Sequence, residues 1–526
     1  MKSARIGIVI IVVISIAFYY QGMTLFYEIP CTVIAVARTR RGIPVVYRII
    51  FLLLRLTLRI AFVLLHAQHA QDSEENSCLC CHFLSLVEHD PLVMHYKQIF
   101  HVLNFSLLPE PRTGPKGNSP EVYAKAFLVM IEEGIESSEK LRQFLVRHPA
   151  LVVFLGFQLK GISHELPFGF HIEETVPSAR HLRRKLQEFQ NSHLKLLLYD
   201  TIIRLQKLEL LDGIAAMDTK EILAYVKENN PKQYVKDRFN KDNIPCGDKT
   251  CALGAKPSSN KDANGKKKAR YFWGYKSGAI FSQTEHGLVC LSECTSPAAK
   301  ADVMFFFPLI IPLALLGIDV KVFLADAAFD AWYVYAAIDI LDAKAYIPIN
   351  TRGHEILKQE FGPNGRPVCQ GGLEMDNGGK WFDKQKGYHR QKATCPMVNP
   401  TTGKRKKKHE NTDCEILNTK PKGCTRVINL DDPDNLRFAI DRQSREFKDT
   451  YKQRTQAERG FSILKNYGIE TPIQRNVDSV SNLATLAYCL MNAKVIVKAE
   501  KELTCQSDLS QNHTLLSQNH TLQKLE

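Results

Sequence analysis

Three carboxylates occupy positions from which a side chain can do chemistry. Asp326 follows the apolar run Val322-Phe323-Leu324-Ala325, so it falls at the carboxyl end of a predicted buried strand. That edge is where open α/β sheets place their active sites. Asp218 ends a second short apolar stretch, Gly213 to Met217, in the same way. Asp212 competes with it, because element boundaries drift by a few residues; Asp218 is the better match by its apolar lead. Glu458 lies on a predicted helix from Tyr451 to Lys465. Counting about 100° per residue from Tyr451, Arg454, Glu458 and Lys465 fall near 300°, 340° and 320°. Together with Tyr451 they form one polar stripe, beside an apolar stripe of Ala457, Phe461 and Leu464. Glu458 is thus flanked by two cations and a phenol. Spacing alone also allows a plain exposed Arg454–Glu458 pair at i,i+4, which is common and weak.

Thiols make a second set. Residues 351–440 hold Cys369, Cys395, Cys414 and Cys424, with His389 and His409 between them. Four cysteines can hold a structural Zn²⁺, but the closely paired cysteines of such sites are missing. Unconnected reduced thiols are the other reading. The same stretch carries the basic run Lys404-Arg405-Lys406-Lys407-Lys408. It reads as a solvated loop, a contact to DNA backbone or a localisation signal.

The elements that must position these groups are of two kinds. Residues 83–211 read as helices, from Leu92 to Leu107, Pro120 to Gly134, Ser137 to His148 and Pro177 to Leu211. Arg180, Arg183, Arg184 and Lys185 stud the last one, as a DNA-binding helical domain or a solvated cap would have it. Residues 219–270 are polar and read as loop. Strands at 271–282 and 288–291 form a hairpin around Thr284-Glu285-His286-Gly287, and 298–316 is an apolar helix bent by Pro308 and Pro312. Val320–Ala325, Ala331–Lys344 and Ala345–Ile349 make a βαβ unit, which requires a parallel pair. The resulting partition is a core split over 212–350 and 441–502, an insertion at 351–440 and a polar tail at 503–526. The tail repeats Ser-Gln-Asn-His-Thr-Leu and is expected to fray.

Tyr451-x2-Arg454-x3-Glu458-x6-Lys465 resembles the signature of the insertion-sequence-type DDE transposases, in the large group named after the fourth insertion sequence. Leu324 to Asp330 resembles the region of that family's second aspartate, with Ala328 where a glycine is usual. Tyr271 to Asp302 resembles the strand pair and loop between the first two acids, and the likeness spans roughly residues 83–500. It implies an α/β fold, a ribonuclease H-like core with a β-rich insertion, preceded by a helical domain. It also implies that Asp218, Asp326 and Glu458 are catalytic and hold two Mg²⁺ ions, with Mn²⁺ able to substitute. Mg²⁺ is hard and prefers oxygen ligands, and two such ions serve in-line phosphoryl transfer. Tyr451, Arg454 and Lys465 would contact DNA. The partners implied are double-stranded DNA, at the element's terminal inverted repeats and at the target, and a second copy of the chain in a synaptic dimer. The implied location is cytoplasmic and nucleoid-associated in a bacterium.

Composition sets the frame. The chain has 526 residues with 69 Lys+Arg against 55 Asp+Glu, 45% hydrophobic and 24% charged. That excludes disordered and collagen-like chains, and 14 irregularly spaced cysteines exclude a disulfide-stapled one. A net charge of +14 points to a polyanion, either nucleic acid or an anionic membrane. Half of it sits in residues 1–70, where eight basic residues face Glu28 alone. Residues 6–26 are long and apolar enough to span a bilayer, so 1–82 is either a membrane leader or an extension upstream of the true start, with Met23 or Met94 as initiator. Cys78, Cys80 and Cys81 close that leader as lipidated or reduced thiols. The rival functions are a DNA-binding transposase descendant without catalysis and a membrane-anchored DNA-binding protein.

Overall fold

The computed structural model describes residues 86–522 apart from 111–116, 164, 262–266, 351–361, 363, 370, 410–413, 415–416, 419, 432–435 and 439. The leader at 1–82, including Cys78, Cys80 and Cys81, lies outside the described residues. Helices come first, and local chemistry starts them. The Asp90 carboxylate caps α1 (Pro91–Phe100), accepting from the Val93 N–H at 3.0 Å. Pro120 opens α2 (Pro120–Glu132), where its missing N–H goes unneeded. Ser137 and Ser178 cap α3 (Ser138–Arg147) and α6 (Ala179–Glu188). Between them lie α4 (Pro149–Leu155) and the short α5 (Ile172–Thr175). The helix expected over 177–211 is two, since α6 ends at Glu188 and α7 (Asn191–Lys207) starts afresh.

A six-stranded mixed sheet follows. β1 (Ile214–Leu223), β2 (Ala252–Lys261), β3 (Lys267–Thr284) and β4 (Gly287–Pro297) are antiparallel around the long β3. The region read as loop therefore contains the end of β1, all of β2 and the start of β3. Its polar side chains are no obstacle, because Asp218 to Glu221 are only half-buried. A 3₁₀ turn at Asp302–Phe305 leads into α8 (Phe306–Leu316), so the apolar helix starts later than expected. The βαβ unit is β5 (Val322–Leu324), α9 (Trp332–Ile340) and β6 (Lys344–Tyr346). β1, β5 and β6 are parallel, giving the order β2-β3-β1-β5-β6 with β4 on the other side of β3.

The insertion is a separate antiparallel sheet of β7 (Asp376–Asp383), β8 (Tyr388–Thr394) and β9 (Thr425–Asn429). The chain returns through α10 (Arg445–Tyr451), a 3₁₀ turn at Lys452–Arg454, and α11 (Thr455–Asn466). The signature segment is thus not one continuous α-helix. α12 (Val477–Leu522) closes the fold, and the tail from 503 continues this helix instead of fraying.

α12 packs the amino-terminal helices against the sheet. Its segment Val477–Thr504 is long and apolar enough to cross a membrane, but 89% of its most apolar window is buried inside the fold. It packs on β4, α7 and α6, and one apolar core runs from Val93 on α1 to Ile496 on α12. Buried asparagines fix its register: Asn492 accepts from the Cys290 N–H at 2.8 Å and donates to Thr201 Oγ1 and the Cys290 carbonyl, both at 2.9 Å.

Candidate active site

Register brings the first two acids together. β1 and β5 pair in parallel, with Ala216 opposite Leu324. Asp218 and Asp326, each two residues further on, therefore fall level at the carboxyl end of the pair. Asp212 sits at the other end of β1, where its carboxylate accepts from the Ile214 N–H at 2.9 Å and the Ser282 hydroxyl at 3.1 Å. Past β5 the chain turns into a 3₁₀ turn, and Asp326 caps it by accepting from the Ala328 N–H at 2.9 Å.

The two carboxylates are electrostatically strained. Burial pushes the Asp218 carboxyl up to about 6, against the Thr219 N–H that stabilises its charge. The charges of Asp326 and Asp302 raise it too, while Arg454 lowers it. Asp326 is raised by burial and by Asp302, with the Ala328 N–H and Arg454 opposing. Each lacks enough positive charge around it.

Arg454 links this pair to the third acid. Its Nη1 donates to Asp218 Oδ2 at 3.1 Å and its Nη2 to Glu458 Oε1 at 2.5 Å. The Arg454–Glu458 pair at i,i+4 is real, but it belongs to the site because the same guanidinium reaches β1. Its charge also lies over the Tyr451 ring at 6.0 Å, and Tyr451 stacks on Phe447 at 5.5 Å. α11 is seated on the sheet by Ala457, Gly460, Phe461 and Leu464. Gly460 is required there, since a Cβ would lie 2.3 Å from the Phe281 ring.

Lys465 does not join the group. Seven residues beyond Glu458, about 10 Å along the helix axis, it is exposed and pairs with Glu470 at 3.5 Å. Instead the site has three members that sequence reasoning did not single out. Asp302 accepts from Lys276 Nζ at 2.7 Å and from the Thr219 hydroxyl at 2.9 Å. It stood in the sequence as the end of a pattern between the first two acids, but only folding sets it beside them. Asp330, in the second-aspartate region, is a structural group: fully buried, it accepts from the Tyr335 hydroxyl, the Asn350 N–H and Arg437.

Chemically, the site offers two level carboxylates, a third held one guanidinium away, and a fourth beside them. The donor set is all oxygen, which suits a hard divalent cation. Among the described residues, no three His, Cys, Asp or Glu side chains stand close enough together to hold a metal ion as they are.

Outside this site, the basic groups of α6 are largely paired. Arg183 bonds Glu139 at 2.5 Å, and Lys185 bonds Glu188 at 2.9 Å. In the 404–408 run, Lys406 bonds Asp376.

Residues 244–493 match the family model of the transposase DDE domain. The match includes Asp326, Tyr451, Arg454, Glu458 and Lys465 and starts after Asp218, which β1 brings to it. No curated protein matches the chain.

Proposed function

We propose that this chain, whose residues 244–493 match the transposase DDE domain, cleaves and rejoins DNA at the ends of an insertion-sequence-type element. The observation that carries this reading is the Asp218–Asp326 pair, level on parallel strands, with Arg454 bridging to Glu458. The mixed α/β sheet is consistent with a ribonuclease H-like core, and the signature spacing favours the group named after the fourth insertion sequence.

DDE transposases use divalent metal ions, and the residues here fit them. Asp218 and Asp326 are half-buried oxygen donors in excess of local positive charge, and Glu458 is the third once Arg454 turns to another anion. When bound, Mg²⁺ or Mn²⁺ supplies activation of the attacking oxygen and neutralisation of the leaving one. The protein's own groups do the rest. Arg454, with its planar fork, takes a phosphate bidentately in exchange for the two carboxylates it now holds. Tyr451, wedged between Phe447 and Arg454, orients the end of the strand. Lys465 contacts the DNA backbone further along α11. Water breaks the first P–O bond and leaves a 3′-hydroxyl on the element end. That hydroxyl attacks a target phosphate and displaces the target's own 3′-oxygen, so no covalent protein–DNA species forms. Exposed Trp381 and Phe382 on β7, with Arg390 over the Trp381 ring at 5.6 Å, add an aromatic and basic surface to the insertion. A dimer holding two ends belongs to the same reading.

The test is cleavage of DNA carrying the inverted repeats that border the gene, in Mg²⁺ and in Mn²⁺, beside binding in EDTA. Metal-dependent nicking at the repeat ends is expected. Binding without nicking in either metal would make the chain a non-catalytic descendant.

A further inference from the structure

The insertion holds a cluster that the DNA-cutting site does not use. Cys369, Cys395, Cys414 and Cys424 are far apart in sequence, but strand register gathers them. β8 and β9 are antiparallel with Thr394 opposite Thr425, so the next residues, Cys395 and Cys424, face each other past the end of the pair. The Cys424 thiol lies near both the Cys369 and the Cys395 thiols. Cys414 packs on the cluster of Cys395, Met397 and Val398. A Cβ placed on Gly371 would lie 3.6 Å from the Cys414 sulfur and 3.7 Å from the Cys369 sulfur, so those two sulfurs flank one point.

Turn chemistry supports the gathering. After Cys369 the chain reverses tightly, with the Gly372 N–H donating to the Cys369 carbonyl at 2.9 Å and the Cys369 N–H to the Leu373 carbonyl at 2.8 Å. Before Cys424, Gly423 takes a left-handed conformation with φ +73°. A Cβ there would lie 2.3 Å from the Cys395 Cβ, so only glycine lets the two cysteine segments approach this closely.

The insertion also needs a fastening. Among the described residues, its own buried apolar clusters are Cys369, Met375 and Ala393, and Cys395, Met397 and Val398. Cores that small do not hold a three-stranded sheet by burial alone, and small units without a core are commonly held by a metal. Four sulfur donors match a closed tetrahedral Zn²⁺ site and no harder ion.

We propose that Cys369, Cys395, Cys414 and Cys424 bind one structural Zn²⁺ that fastens the β7–β9 sheet. Among the described residues, no three of these side chains are yet placed to hold a metal ion. Binding draws the sulfurs in to about 2.3 Å from the ion and releases the thiol protons to solvent. Sequence spacing conceals the site because its partners meet across a sheet rather than within a knuckle. This assignment is independent of the DNA-cutting reading.

The experiment uses the full chain without a histidine tag, produced in zinc-supplemented medium and purified reduced without chelator. Metal analysis should give about one zinc per chain. Cys424→Ser and Cys395→Ser should each hold under about a fifth of that, while Cys246→Ser, at an exposed cysteine outside the cluster, keeps it. Cobalt exchanged into the unaltered chain should show the strong visible bands and sulfur charge-transfer absorption of a tetrahedral thiolate site, so the proposal stands testable even if the variants fail to fold. Under about a tenth of a zinc per chain, with the thiols free or joined as disulfides, overturns it. Full zinc in Cys424→Ser, or a weak octahedral cobalt spectrum, overturns it equally.

Discussion

Asp218 and Asp326 stand level on neighbouring parallel strands, two residues past the Ala216–Leu324 pair. That relationship makes one site out of residues more than a hundred positions apart. Both are half-buried, both are pushed towards protonation, and Arg454 is the cation they share.

The mutual strain predicts a pH signature. Asp218, raised to about 6 from an ordinary value near 4, is favoured protonated in the folded chain. Its cost to stability is absent below the unfolded value, grows between pH about 4 and about 6, and persists above. In EDTA, Asp218→Asn should therefore be more stable than the unaltered chain at pH 7.5, by on the order of 2 kcal/mol after screening is allowed for. The gap should close near pH 4. Urea unfolding at both pH values measures it, and a gap that ignores pH would contradict the upward shift that burial imposes on Asp218.

Divalent metal should relieve the same strain. At a Mg²⁺ concentration about ten times its dissociation constant, the unaltered chain should gain about 1.4 kcal/mol. Asp326→Asn should gain much less. Thermal unfolding with and without Mg²⁺ at fixed ionic strength separates the two, and equal gains would remove the carboxylates from metal binding.

Arg454 should matter for its shape as well as its charge. Arg454→Gln should cut single-turnover cleavage by roughly a hundredfold, because a bidentate charged contact is lost. Arg454→Lys should recover only part of that, since a point charge cannot bridge Asp218 and Glu458 together. Full activity in Arg454→Lys would show that charge alone suffices.

Asn492 tests whether the amino-terminal helices and the sheet share one core. Asn492→Leu would leave the Cys290 N–H and carbonyl and the Thr201 hydroxyl without this partner in a buried place. A loss of about 2–4 kcal/mol is expected, with helix and sheet signals falling in one urea transition. Two separate transitions would mark the helices as an independent domain.

Much of this was legible in the sequence, and the rest was hidden for identifiable reasons. Asp326 could be placed because a continuous apolar run announces a buried parallel strand. The hairpin at Thr284–Gly287 announced itself by its turn residues, and the Arg454–Glu458 pair by its spacing. Asp218 was harder, since β1 runs on through Thr219, Lys220 and Glu221, whose half-burial needs no apolar side chain. The 3₁₀ turn at Lys452–Arg454 was hidden because α and 3₁₀ turns differ by only about 20° per residue. Asp302 and the cysteine cluster depend on which strands neighbour which, and that is a long-range property. The packing of the amino-terminal helices on α12 was hidden because their caps and periodicity are local, while α12 lies almost three hundred residues away.

The most direct test is single-turnover cleavage of repeat-bearing DNA by Asp218→Asn, Asp326→Asn, Glu458→Gln and Asp212→Asn beside the unaltered chain in Mg²⁺. The first three should each lose about a thousandfold or more, with DNA binding retained, and Asp212→Asn should stay within a few-fold. Wild-type rates in Glu458→Gln, or a dead Asp212→Asn beside an active Asp218→Asn, would contradict a single site built from Asp218, Asp326 and Glu458.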